Sequence, residues 1–209
     1  SGSSTTLVVT TVLGILASYF DIAGYVDMAR GSAKLLGIEM QSNFAQPLTR
    51  STCLTDFWRR WQVTLMAWFR DYVYRTIRGP QRRESLALLG TFLAAGLWHG
   101  LSGGWLLWGL LTALILIAER RLGVLRRNEL RIRSATSTWQ RWLQRARALA
   151  VVWILLLLTA PWAASARISD GIDFYRALLT NGLGRPSGNQ IAFLLYGVLV
   201  LVLNDRFER

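Results

Sequence analysis

The chain has 209 residues, 52% of them hydrophobic, with 24 Lys and Arg against 12 Asp and Glu, one His and one Cys. The lone Cys53 excludes an intrachain disulfide, a lone Cys and a lone His cannot build a zinc site, and a single His excludes bis-histidine haem ligation. Long apolar runs alternating with arginine clusters suit a bilayer better than an aqueous core.

Ser1-Gly2-Ser3-Ser4 has neither an initiator Met nor a basic leader, so it is not a secretory signal. The expectation is that this chain is part of something longer. Thr5 to Phe20 is a candidate membrane span that continues into Asp21-Ile22-Ala23-Gly24-Tyr25. Gly14, Ala17, Asp21, Gly24, Met28 and Gly31 alternate at spacings of three and four, so they share a helix face on which small residues admit a close neighbour. Asp27 can pair with Arg30 one turn on. Asp21 and Asp27 therefore read either as structural polar groups or as one wall of an internal cavity. The helix is expected to end at Leu36-Gly37-Ile38, with Gly37 as its C-cap. Asn43-Phe44-Ala45-Gln46-Pro47 then reads as a loop, its backbone kept extended before Pro47.

The segment Asp56 to Tyr74 is dense in aromatics and charge. Thr55 is a candidate N-cap with Asp56 in the first turn. Trp58, Trp61, Leu65, Trp68 and Tyr72 form one helical stripe, and Arg59, Val63, Met66 and Arg70 another. Such a helix either anchors at the membrane interface or lines a polar cavity. In the second case Arg59, Arg60 or Arg70 would bind an anionic ligand.

Leu86 to Ala118 is almost free of charge and fits two membrane helices joined at the His99–Gly104 turn, or one span and a re-entrant segment. The only histidine lies inside it, in Gly96-Leu97-Trp98-His99-Gly100. An ionisable side chain between apolar runs is a functional-site hypothesis by default, and imidazole is the side chain best suited to moving protons near neutral pH. From Arg120 to Arg147 nine arginines face one acid, Glu129. This reads as a cytoplasmic loop, with Trp139, Trp142 and Leu143 suggesting an interfacial helix on anionic headgroups. Spans flank the run on both sides, which sets nucleic-acid binding aside. Leu149 to Ala166 is a further span, kinked at Pro161, and Ile191 to Leu203 is a marginal one.

Tyr19-Phe20-Asp21-Ile22-Ala23-Gly24-Tyr25-Val26-Asp27-Met28-Ala29-Arg30-Gly31, Asn43 to Pro47, Phe57-Trp58-Arg59-Arg60-Trp61, Arg70-Asp71-Tyr72-Val73-Tyr74 and Gly96 to Gly100 follow one another as they do in the membrane-bound O-acyltransferase (MBOAT) family. The chain resembles its alginate O-acetyltransferase branch, with the teichoic-acid D-alanyl transfer proteins as cousins, and the likeness covers the C-terminal catalytic portion only. It implies an all-α, polytopic membrane protein with a partial MBOAT fold, of about four to six membrane or re-entrant helices plus interfacial ones. Residues 5–118 would form the core with the histidine motif, 119–147 a basic segment, and 148–209 the C-terminal membrane helices.

The resemblance also implies an acyltransferase of the bacterial inner membrane. It would take acetyl-CoA or another acyl thioester as donor substrate, hold no bound cofactor or metal, and act toward a cell-surface or secreted polysaccharide. His99 matches the family histidine and would be the general base. Trp98, Gln62, Arg59, Arg60, Trp61, Arg70, Asp71, Asp21, Asp27 and Asn43 would line the substrate cavity. The partners implied are the lipid bilayer, a periplasmic acyl-transfer protein, a polysaccharide synthase complex and a missing N-terminal half, with no nucleic acid. Gln62 and Thr112 stand where many members carry further histidines, and Arg75 to Pro80 replaces the usual apolar segment. These departures motivate the alternative of a non-catalytic membrane scaffold in an exopolysaccharide complex.

Overall fold

The computed structural model describes residues 2–44 and 47–207, so Ala45 and Gln46 of the expected loop lie outside the described residues. The described residues form helices and turns, with no strand among them. The helices are α1 (Ser4–Leu35), α2 (Leu54–Arg60), α3 (Val63–Trp68), α4 (Arg75–Arg78), α5 (Glu84–His99), α6 (Gly103–Arg121), α7 (Val124–Ser134), α8 (Thr138–Ala163), α9 (Ile168–Thr180) and α10 (Gly188–Phe207). Three of them, α1, α6 and α8, are long and apolar enough to cross a membrane, and Gly188–Leu203 is a shorter apolar stretch. The chain packs as two units, Ser1–Thr49 with Asp173–Arg209, and Arg50–Ile172.

In the first unit, α1 runs unbroken through the expected span and the Asp21–Gly31 block. The Ser3 hydroxyl accepts from Thr6 N–H at its start. At its end Gly37 takes φ 75°, and the amides of Gly37 and Ile38 donate back to Lys34 and Ala33. Leu36 is the cap residue itself, and Gly37 takes the left-handed position just past it that glycine favours. Leu16, Tyr19 and Ala23 are the buried side of α1, where Gly197 of α10 passes Leu16 and Phe44 packs edge-on against Tyr19 at 5.1 Å. The Gly14–Gly31 face is a different one. It is exposed, and a Cβ on Gly14, Gly24 or Gly31 would meet nothing within 4 Å.

The second unit is built on the α5–α6 hairpin. Glycines decide how closely these helices approach. A Cβ on Gly96 would strike the Trp105 carbonyl, and one on Gly109 the Phe92 carbonyl, so the two backbones touch at both crossings. Gly104 meets the carbonyls of Trp162 and Ser165 in the same manner, which seats α8 on the start of α6. Ser102 ends the turn by accepting from Trp105 N–H at 3.2 Å, the N-cap of α6. The span expected from Leu149 begins earlier in the structure. α8 starts at Thr138 behind a Ser137/Gln140 capping box and carries Pro161 inside its last turns.

These crossings make opposite outcomes for two similar substitutions. Gly109→Ala is expected to lose about 1–3 kcal/mol by forcing α5 from α6. Gly24→Ala, in an open helical position, should gain up to about 1 kcal/mol. Thermal unfolding of each variant in detergent, followed by far-UV circular dichroism, checks both signs.

Candidate functional site

The aromatic block is not one helix. Gln62 takes φ 41°, ψ 61° and breaks it into α2 and α3, after which Phe69–Tyr74 winds as a π-helix. The stripe expected from Trp58 to Tyr72 is therefore interrupted after Trp61, because a left-handed residue turns the chain before the next helical face begins. A left-handed conformation is uncommon for a residue with a β-carbon, and both it and the π-turn are features that cluster at functional sites.

The start of α2 also differs from expectation. Cys53 is the N-cap, and it makes no side-chain capping bond. The free amides of the first turn go instead to a carboxylate from α6. Glu119 accepts from Leu54 N–H at 2.8 Å, Thr55 N–H at 2.8 Å and the Thr55 hydroxyl at 2.7 Å. Glu119 is 8% exposed, and Leu54 is wholly buried. A carboxylate at a helix N-terminus satisfies orphan donors and meets the positive end of the dipole. Burial first, and the Glu119 carboxylate next, push the Cys53 thiol up to about 11.

With α2 pinned there, Trp58 packs edge-on against Phe92 of α5 and Trp108 of α6, each at 5.7 Å. Trp61 stacks on Phe57 at 5.5 Å. His99 ends α5. Its ring lies flat on Trp105, with centroids 4.3 Å apart and planes 11° from parallel, and Trp98 and Trp108 meet it edge-on at 4.8 and 5.7 Å. Stacking on a face orients an imidazole and leaves both nitrogens free at its edge. Neither nitrogen has a hydrogen-bond partner among the described residues, and the side chain is exposed.

Two cavities meet at this cluster. The smaller, about 30 Å³, is lined by His99, Trp61, Gln62, Thr91 and Ala95 among others. The larger, about 530 Å³, has an apolar floor of Val63, Ala67, Leu88 and Leu116, with Arg59, Arg70, Arg120 and Arg126 among its lining. Trp58, Met66 and Phe92 line both. The Trp58 indole N–H is buried there without a hydrogen-bond partner among the described residues, and the Thr112 hydroxyl is likewise buried and unpartnered. The small cavity lies toward the His99 end of α5. The large one reaches Leu88 on the same helix, nearer the Glu84 end, where Arg120 pairs with Glu84.

The remaining candidates are placed as follows. Arg60 pairs with Asp56 at 3.1 Å. Asp71 pairs with Arg70 at 2.9 Å and with Arg75 at 3.1 Å, and the Arg70 hydrogen bond holds its carboxyl below the usual range. Trp98 packs on Phe69 at 6.4 Å and is mostly exposed. Asp21, Asp27 and Asn43 belong to the other unit. There Asp21 is exposed on α1, and Asp27 pairs with Arg30 at 3.3 Å. The structure thus gathers His99, Trp61 and Gln62 around one cavity, and Arg59 and Arg70 around its neighbour. Sequence reasoning missed Glu119, Trp105, Phe92 and Arg126 as parts of this arrangement. Glu119 carried a signal, being the first acid after the long uncharged run that ends at Ala118.

Residues 5–164 match the model of the MBOAT, membrane-bound O-acyltransferase family. A "Probable alginate O-acetylase AlgI" of Azotobacter vinelandii is 36% identical over 193 residues, 88% of this chain and 36% of that protein. A "Peptidoglycan O-acetyltransferase" of Helicobacter pylori is 36% identical over 105 residues, 49% of this chain and 20% of that protein. A "Teichoic acid D-alanyltransferase" of Bacillus subtilis is 32% identical over 108 residues, 47% of this chain and 27% of that protein. The matches thus span between 20% and 36% of the length of these curated relatives.

Two measurements follow from the Glu119 cap. Glu119→Ala should destabilise by on the order of 3 kcal/mol, because it strands buried donors, and differential scanning fluorimetry in detergent reads the loss. Cys53 should react with a maleimide at pH 7.5 about 100-fold more slowly than an unperturbed thiol, since its raised pKa leaves less thiolate. Rapid labelling of the folded wild type would contradict the buried placement.

Proposed function

The chain belongs to the membrane-bound O-acyltransferase family, and from that membership we propose that it carries the histidine-bearing part of an enzyme that moves an acyl group from a cytosolic thioester toward a cell-surface or secreted polysaccharide. The reading places it in the bacterial inner membrane as a multi-pass protein. The observation that carries it is the position of His99, which is stacked on Trp105, has open ring nitrogens and borders the cavity that Trp58, Trp61 and Gln62 also line.

His99 acts as general base. One ring nitrogen takes the proton of an acceptor hydroxyl while that oxygen attacks the thioester carbonyl carbon. The C–S bond breaks, and the departing thiolate recovers a proton. The Trp58 N–H is the buried donor among the residues common to both cavities, and it fits the role of hydrogen-bonding the carbonyl oxygen as charge develops there. Acetyl-CoA is the favoured donor substrate. Arg59 and Arg126, which have no carboxylate partner among the described residues, would meet its phosphates together with Arg70. The volume of about 30 Å³ beside His99 favours a short acyl group such as acetyl or D-alanyl. A periplasmic transfer protein, a polysaccharide synthase complex and the remainder of a longer chain would complete the path.

A second reading is a non-catalytic scaffold in an exopolysaccharide complex. Gln62 favours it, since this side chain lines the His99 cavity yet cannot exchange a proton near neutral pH.

Acyl transfer from labelled acetyl-CoA in membranes separates the two. Under the enzyme reading His99→Ala abolishes transfer at unchanged abundance and folding, and Trp58→Phe lowers kcat by about 10²-fold. Transfer that persists in folded His99→Ala protein removes the general base from the mechanism. Normal polymer acetylation with His99→Ala, together with co-purification of a synthase, establishes the scaffold.

A further inference from the structure

We propose that α7 and the first turns of α8 form a binding surface for anionic lipid headgroups, separate from the acyl-transfer cavities. Arg127, Arg131, Arg133, Arg141, Arg145 and Arg147 are all exposed, and none has a carboxylate partner among the described residues. Glu129 is the only acid between Arg120 and Arg147. So many like charges held together need an anion of matching extent.

The surface is held in place rather than trailing. The Asn128 side chain donates to the Thr52 carbonyl at 2.6 Å and ties α7 to the segment before α2. The Ser137/Gln140 capping box sets the start of α8. Trp139 and Trp142 stand one turn apart on α8, stacked at 5.0 Å and 17°, yet 66% and 58% exposed. Large exposed aromatics beside arginines are the composition of a helix seated at a membrane interface.

Helix length identifies the occupant as lipid. α8 continues without a break from Trp139 into its apolar stretch. From Ala148 to Ala163 that stretch rises only about 24 Å at about 1.5 Å per residue, whereas a hydrocarbon layer is about 30 Å thick. Reaching that thickness from Ala163 brings the layer's edge to about Leu143 or Gln144. Arg141 and Trp142 then lie at headgroup level. Arg145 and Arg147, just inside, extend their guanidinium groups to the same level. Phosphodiester headgroups present planar oxygen pairs to guanidinium forks, which zwitterionic lipids offer only beside a compensating cation.

The test is a lipid titration of the detergent-purified full chain by native mass spectrometry, with phosphatidylglycerol and phosphatidylcholine as probes. At least tenfold tighter retention of phosphatidylglycerol is expected, weakening as salt rises. Joint replacement Arg131→Gln, Arg133→Gln, Arg141→Gln and Arg145→Gln should erase the preference, while the same positions changed to Lys should keep most of it. Circular dichroism confirms that each variant is folded. If the Gln set does not fold, the salt dependence of wild type and of the Lys set decides. Equal retention of the two lipids by wild type, a preference that survives the folded Gln set, or displacement of phosphatidylglycerol by sub-stoichiometric RNA would each overturn the proposal.

Discussion

The Glu119 carboxylate is the constraint on which the second unit depends. A short helix such as α2 has little stability of its own, because nucleation costs nearly as much as its few internal hydrogen bonds return. Its first amides would lie buried and unpaired if Cys53 were the only cap. Glu119 satisfies them from α6 and fixes α2 against the hairpin at the same time. What α2 and the two residues after it carry is thereby located: Trp58 against Phe92 and Trp108, Arg59 on the larger cavity, and Trp61 and Gln62 on the smaller.

Around that pin the packing is aromatic on one side and glycine on the other. Gly96 and Gly109 let α5 and α6 run in backbone contact, so the end of α5 lies over the start of α6 and His99 meets Trp105. Bulkier residues at those crossings would separate the rings. The histidine is thus oriented by stacking rather than by a hydrogen bond, and its nitrogens have no partner among the described residues. The two cavities follow from the same geometry. α2, the left-handed turn at Gln62 and α3 lie across the hairpin, and three side chains, Trp58, Met66 and Phe92, stand where the cavities meet.

Much of this was legible in the sequence. The alternation of apolar runs with arginines pointed to a membrane protein, the family motifs implied an all-α one, and α1, α6 and α8 are helices of the required length and hydropathy. Gly37 at the end of α1 and the Asp27–Arg30 pair could be read from local spacing, because both involve residues within one turn. The block from Asp56 to Tyr74 misled, since helical periodicity assumes an uninterrupted helix and Gln62 does not announce a left-handed backbone. Thr55 looked like the cap of α2, but the helix already begins at Leu54, so Thr55 lies inside the first turn, where its hydroxyl donates to Glu119, and Cys53 holds the cap position.

By itself, the sequence determined the composition of the membrane segments, the family motifs in their order and the single histidine that chemistry could use. These are properties of local spacing and residue type. Only the tertiary structure decided which groups meet. The Glu119 cap joins residues more than sixty positions apart, the His99–Trp105 stack depends on backbone contact at glycines, and the two cavities exist only where three segments cross. No periodicity along the chain encodes such meetings, because each depends on how two surfaces fit once both helices have formed.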